Sequence, residues 1–298
     1  MNTNESWFIP IDIITCIFVL LGIILVMIYL LIIIFDRTCH TVPMLLVGNS
    51  CLIGFLFGIN LCSLSLTTLI KDIYLRFESD RWCSINAYIG YSTCSNFNIS
   101  FLLQAIYRYV RVVHPNHLAY QSIKFQLVLI ILTWISSFLY HVKYFFSDEI
   151  IYNSDNQVCQ LPLRLTFSMF YMSIYTYFAP VSLTFFIYLR LVLYVRKMSQ
   201  RITPVNTLLR AKNELQMLRR TTILVMLLII YCFPYAVFMF WSFFTSPPKY
   251  SFRIAYAFIY PSYFIAMVIL FQFTDPLKTS IKKRFLRTQN IVIPTTTR

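Results

Sequence analysis

Side chains that carry covalent chemistry are sparse in this 298-residue sequence and stand far apart. Hydrolysis or group transfer needs a nucleophile beside a base, paired carboxylates or a metal cluster, and no such constellation is spelled out. The eight cysteines include no Cys-x-x-Cys pair and no zinc spacing. Five of them, Cys16, Cys51, Cys62, Cys94 and Cys232, sit inside apolar runs, where a thiol acts as a small hydrophobe. No catalytic residue, metal ligand or cofactor is expected, and an enzyme is disfavoured. What remains is the chemistry of recognition and of conformational change. Cys83 and Cys159 stand in polar surroundings. Tyr107-Arg108-Tyr109, followed by His114-Pro115, fixes a permanent cation at the end of an apolar run. Asn86, Ser92, Thr93, Ser95, Asn96, Asn98, Ser100 and Gln104 crowd amides and hydroxyls into that same run.

The elements that position these groups follow from composition. Hydrophobic residues make up 58% and charged residues 12%, with a mean hydropathy of +0.68, far outside the range of a chain solvated by water. A bilayer core takes about 20 apolar residues per helix. Seven uncharged runs meet that length: Ile13–Phe35, Thr38–Ile70, Ser84–Tyr107, Phe125–Val142, Leu165–Leu189, Thr221–Pro248 and Ile254–Thr274. The expected fold is an all-α, seven-transmembrane helix bundle forming one domain over 1–298. Its helices are placed approximately at 8–35, 42–70, 84–109, 123–146, 165–195, 210–244 and 252–274, and a short amphipathic helix at 276–286. No repeat or low-complexity tract interrupts them.

Charge orients the bundle. One set of links, with the carboxyl terminus, holds 18 basic and 3 acidic residues, whereas the other set holds 7 basic and 8 acidic ones. The Lys/Arg excess marks the first set as cytoplasmic and the amino terminus as extracellular, which removes the need for a nucleic-acid partner to explain the net charge of +14. Met1 to Pro10 carries no basic residue, so a cleaved signal peptide is not indicated and the first helix is read as an uncleaved anchor. Cys83 and Cys159 then fall on the oxidising side. They are either two free thiols or a disulfide, and the compartment favours the disulfide, which would hold a loop over the third helix. Asn4-Glu5-Ser6 makes Asn4 a glycosylation acceptor on the same side. Asn98-Ile99-Ser100 also fits the pattern but lies inside a helix.

The polar third run cannot face lipid, because unpaired amides in hydrocarbon cost several kcal/mol, so it is expected at the centre of the bundle. Pro180 and Pro234 each remove a backbone hydrogen bond and are expected to kink the fifth and sixth helices. Kinked helices around a polar centre can enclose a cavity.

The spacing of 25 residues from Cys83 to Arg108, with Arg-Tyr-Val-x-x-x-His-Pro after it, resembles the third helix of rhodopsin-like G-protein-coupled receptors. Trp134, Pro180, Tyr188 and Cys232-Phe-Pro234 fall where that family has landmark residues, and Pro276 to Phe285 is similar to its eighth helix. The resemblance implies a receptor that binds an extracellular ligand and activates a heterotrimeric G protein at the plasma membrane, with Arg108, Tyr109 and Tyr188 at the coupling face. The departures are as informative. Tyr107 replaces the acid before the arginine. Val26, Gly54 and Phe97 occupy positions whose counterparts supply oxygen ligands to a sodium ion, Cys232 replaces the switch tryptophan, and Ala266 to Leu270 stands where Asn-Pro-x-x-Tyr is expected.

Gly90 occupies the position that pairs with amines in aminergic receptors, and no lysine occurs from Ile254 to Thr274 to bind retinal. A cavity framed by Tyr91, Tyr171, Tyr175, Tyr235, Phe238, Trp241 and Tyr256 would be aromatic and neutral, suiting a peptide or a lipid-like ligand; ordinary packing or an interfacial belt is the plainer role for each. Eight acids on the outer side favour a basic peptide, and family analogy points to short amidated neuropeptides of the invertebrate kind. The basic stretch Arg190 to Arg220 serves equally as an anchor on anionic membrane lipids and as a G-protein docking surface. The missing switch residues keep a ligand-binding protein without coupling in play. A transporter ranks lower, because the seven runs contain no charged residue of the kind ion pathways use.

Overall fold

The computed structural model describes residues 8–74, 81–163, 166–200, 205–242, 244–245 and 248–273. Asn4 and the segment 276–286 lie outside them. Seven long helices cross the described residues: α1 (Phe8–Phe35), α2 (Val42–Tyr74), α3 (Arg81–Val113), α4 (Ile123–Phe146), α5 (Phe167–Gln200), α6 (Val205–Trp241) and α7 (Ser251–Phe273). At 1.5 Å per residue the 28 residues of α1 extend about 42 Å, more than the roughly 30 Å of a bilayer core.

α1 shows how such a helix is read. Thr15, Val19, Gly22, Val26 and Tyr29 are buried on one stripe, while Ile14, Ile17, Leu21, Ile24, Ile28 and Leu31 are exposed on the other. Both stripes are apolar. In water the outer one would be an aggregation surface; in lipid it is solvated. By length and composition α1, α2, α4, α5 and α7 are each apolar enough to cross a membrane. α3 falls short of that measure because of its polar residues, and α6 carries the uncharged run that begins at Thr221. They complete a seven-helix bundle.

The helices reach further than the uncharged runs. α3 continues to Val113, and α1, α2 and α7 take in Asp12, Asp72 and Arg253 near their ends. α3 touches α2, α4, α5 and α6 and is the central helix. Its polar residues from Asn86 to Gln104 are buried and bond across to neighbours. Gln104 Nε2 donates to Ser50 Oγ at 2.7 Å, Ser50 and Ser100 share a bond of 2.8 Å, and Trp134 of α4 donates to Asn49 of α2 at 3.0 Å. Inter-helix bonds of this kind hold helices together where the hydrophobic effect cannot.

Between α4 and α5 the chain forms an antiparallel hairpin, β1 (Ile151–Asn153) and β2 (Val158–Gln160), with Tyr152 opposite Cys159. Asn153 Oδ1 accepts the backbone N–H of Asn156 at 3.0 Å and closes the turn. This hairpin end of the bundle lies opposite the end where Arg108 sits, the arginine end.

Candidate functional site

Cys83 and Cys159 form a disulfide that fastens β2 to the start of α3. The next residue, Gln160, is 4% exposed and turns down into the bundle. The Tyr91 hydroxyl donates to its Oε1, its Nε2 donates to the Tyr256 hydroxyl at 2.5 Å, and Tyr91 also accepts the Leu161 N–H at 3.0 Å. Gln160 therefore clamps α3 to α7 across the mouth. Beneath it lies a cavity of about 60 Å³ lined by Asn60, Asn86, Gly90, Tyr91, Tyr235 and Tyr256 among others. Above it, between the hairpin and the ends of α6 and α7, opens a vestibule of about 480 Å³ lined by Tyr152, Asn153, Asp155, Asn156 and Lys249. Burial pushes the Tyr152 hydroxyl up from its ordinary pKa, keeping it neutral at the vestibule wall.

Of the seven aromatic residues expected around one cavity, Tyr91, Tyr235 and Tyr256 line the space under Gln160. Phe238 packs in the apolar cluster beside it. Three lie elsewhere. Tyr171 and Tyr175 pack on Tyr140 of α4, with ring centroids 5.3 and 3.9 Å apart, and Trp241 is half exposed on the bundle's outside. For Tyr171 and Tyr175 the reason is local. Residues Ile174–Phe178 form a π-turn, which widens α5 by one residue and rotates what precedes it. Tyr177 is brought inward instead, against Cys94 at 3.2 Å.

Pro180 explains the π-turn's location. It has no N–H for the carbonyl of Thr176, four residues back. Asn98 of α3 fills that role, its Nδ2 donating to Thr176 O at 2.9 Å. Pro234 lies inside α6, and the side chain of Cys232 is outside what is described. A deeper apolar chamber of about 390 Å³ runs beside Tyr177 between α5 and α6, with Phe178, Phe233 and Phe240 on its exposed side.

The centre of the bundle is filled by Tyr263. Its ring lies where a Cβ on Gly22 would come within 2.5 Å, its hydroxyl occupies the place a Cβ on Gly58 would need, and it donates to Gly54 O at 2.9 Å. Phe57 and Phe97 stack nearby with centroids 6.2 Å apart, and Met267 covers Gly54. At the arginine end, Tyr109 and Tyr188 pack on one cluster with buried Val112, Leu191, Val195 and Ala211, which joins α3, α5 and α6. Arg111 Nη1 meets Glu214 Oε1 at 3.0 Å and ties α3 to α6.

The model of the seven-transmembrane receptors of the rhodopsin family matches residues 13–276. The chain belongs to the rhodopsin family. Among solved structures, the crystal structure of squid rhodopsin shares its fold, with a TM-score of 0.79 at 16% identity over 99% of this chain and 90% of that one. No curated protein matches the sequence. The rhodopsin family is a receptor family, not an enzyme family, and its members bind extracellular ligands and heterotrimeric G proteins.

Within the family, this receptor's departures now have physical form. Gly90 is more than an absent carboxylate: a Cβ there would meet Asn60 Oδ1 at 2.6 Å, and Asn60 uses the room to donate to Asn86 O at 2.7 Å. Gly54 and Phe97 face Tyr263 and Met267, so aromatic and thioether packing fills the space. Tyr107 is buried with Leu46 and Leu103 where the acid would be. Sequence reasoning missed Tyr177, Tyr263 and the Arg111–Glu214 pair. Glycine content carried a usable signal, since two of only five glycines in the chain, Gly22 and Gly58, make room for Tyr263.

Proposed function

We propose that this chain is a plasma-membrane receptor whose hairpin end faces outward, where it takes a peptide ligand, and whose arginine end activates a heterotrimeric G protein. The vestibule above Gln160 carries this reading. It is open and lined by hairpin residues whose amides, with the one carboxylate of Asp155, suit an extended peptide, whereas the space below the clamp, about 60 Å³, is too small for a drug-sized ligand. Gln160 bonds both α3 and α7, so a ligand that displaces it changes the packing of both. A ligand shifts a two-state bundle only by its differential affinity for the two states, and the clamp supplies one. At the other end the Arg111–Glu214 pair must lengthen for α6 to swing from α3 and expose Arg108, Tyr109 and Tyr188. The basic residues of Arg190 to Arg220 would lie against anionic lipid. Asn4 would be glycosylated on the outward side.

Screening a library of amidated basic peptides for second-messenger output in cells tests the proposal. The response is expected to vanish in Arg108→Ala while surface expression persists. A second reading is favoured by the aromatic centre around Tyr263, which lacks the oxygen ligands of an ion-linked switch: a receptor that binds its peptide without coupling. Saturable binding with no output in any G-protein background would select it. Output elicited by lipids alone would move the ligand to the apolar chamber between α5 and α6.

A further inference from the structure

Three charged side chains meet where α1, α2 and α7 approach the hairpin. Arg253 donates from Nη1 and Nη2 to the two oxygens of Asp72 at 2.8 and 2.6 Å, and the two side chains are 8% and 11% exposed. Asp12 is a second carboxylate within hydrogen-bonding reach of Asp72. Two acids against one guanidinium in a half-buried place avoid an uncompensated charge by holding a proton between the two carboxyls, and an arriving cation can displace that proton to solvent. The nearby lysines are engaged elsewhere: Lys71 Nζ stands 4.6 Å over the Tyr152 ring, and Lys249 lies 3.9 Å from Asp155.

Beside this triad is a cavity of about 180 Å³. Among the described residues Asp12 Oδ2 is buried there without a hydrogen-bond partner, and so is the hydroxyl of Ser65, a residue only 2% exposed. Its walls include the rings of Tyr256 and Tyr260, and that of Phe8, which already carries the Arg253 guanidinium 4.7 Å from its centroid. A carboxylate oxygen and a hydroxyl oxygen are acceptors, and aromatic faces attract cations. Two oxygens are too few for calcium or magnesium, which take six or more. Asn156 joins the cavity to the vestibule, since it lines both; its Oδ1 accepts the Arg253 N–H and its Nδ2 donates to Lys249 O, each at 3.1 Å.

We infer that this cavity is a subsite for an organic monocation, an ammonium or guanidinium group of the ligand, held by Asp12 and Ser65 between aromatic walls. As a ligand subsite it rests on the peptide reading of the vestibule, from which a basic side chain passes beside Asn156. When that group enters, the proton held between Asp12 and Asp72 leaves to solvent and Asp12 pairs with the cation.

The test is thermal unfolding of the purified full-length receptor in lipid nanodiscs, titrated at constant ionic strength with benzamidine, with its neutral isostere benzamide, or with sodium. Benzamidine should raise Tm saturably and the other two should not. Asp12→Asn should weaken half-saturation by roughly tenfold or more, as expected when a buried charge loses its partner, while matching or exceeding the wild-type Tm without benzamidine. Ser65→Leu should abolish the shift by filling the cavity with all three charges intact, a control that does not depend on how Asp12→Asn folds. Equal shifts with benzamide, a sodium shift matching that of benzamidine, or unchanged titrations in both variants would overturn the inference. Benzamidine needs nothing in the vestibule, so a failed peptide screen with a persisting shift would sink the peptide reading alone.

Discussion

The middle of the bundle and its two ends solve the same problem with different chemistry. At the hairpin end, Asp12, Asp72 and Arg253 join α1, α2 and α7 through charge, and at the arginine end Arg111 and Glu214 join α3 to α6. Between them Tyr263 lies among Gly22, Gly54 and Gly58, with Phe57, Phe97 and Met267 around it. Charge pairs are orientable and can be broken by water, protons or a partner; packed rings hold position through shape and volume. The difference teaches that this receptor has a stiff centre and places its adjustable contacts where ligand and transducer can reach them.

That contrast can be broken first at the centre. Tyr263→Ala removes the ring that Gly22 and Gly58 accommodate, and should destabilise the protein by about 3–5 kcal/mol, seen as a large fall in Tm. Cys159→Ser releases β2 from α3 and should cost about 2–5 kcal/mol, with wild type falling to the same Tm under reductant. Both exceed the effect expected where α3 meets the α5 π-turn. There Asn98→Ala leaves the Thr176 carbonyl unpaired, at a cost of about 1–3 kcal/mol by thermal unfolding. The smallest effect belongs to the Arg111–Glu214 pair, whose arginine reaches solvent although the glutamate is buried. Glu214→Gln should barely move Tm but raise basal signalling roughly two- to fivefold, the scale of a weakly buried ion pair.

Much of the bundle was legible in the sequence because membrane helices announce themselves locally. An apolar run reports its own solvent, and the crowd of amides from Asn86 to Gln104 could only be central. The disulfide was legible because only Cys83 and Cys159 combined polar surroundings with the oxidising side. The cavity was less so. Counting along a regular helix put Tyr171 and Tyr175 inward, but Pro180 frees a carbonyl, Asn98 takes it and the π-turn turns Tyr177 in instead. That exchange depends on a residue on α3, so α5 alone cannot disclose it. Asp72 and Arg253, 181 residues apart, likewise become partners only once α2 and α7 stand together.

On the proposed function, a stiff aromatic centre is compatible with coupling because the movable contact is at the arginine end. Nucleotide exchange on purified heterotrimeric G proteins, driven by the receptor in nanodiscs without added ligand, measures this most directly. Glu214→Gln should accelerate exchange above wild type, and adding Arg108→Ala should return it to background. Folded Glu214→Gln receptor that leaves exchange at background with every G-protein class would contradict the account.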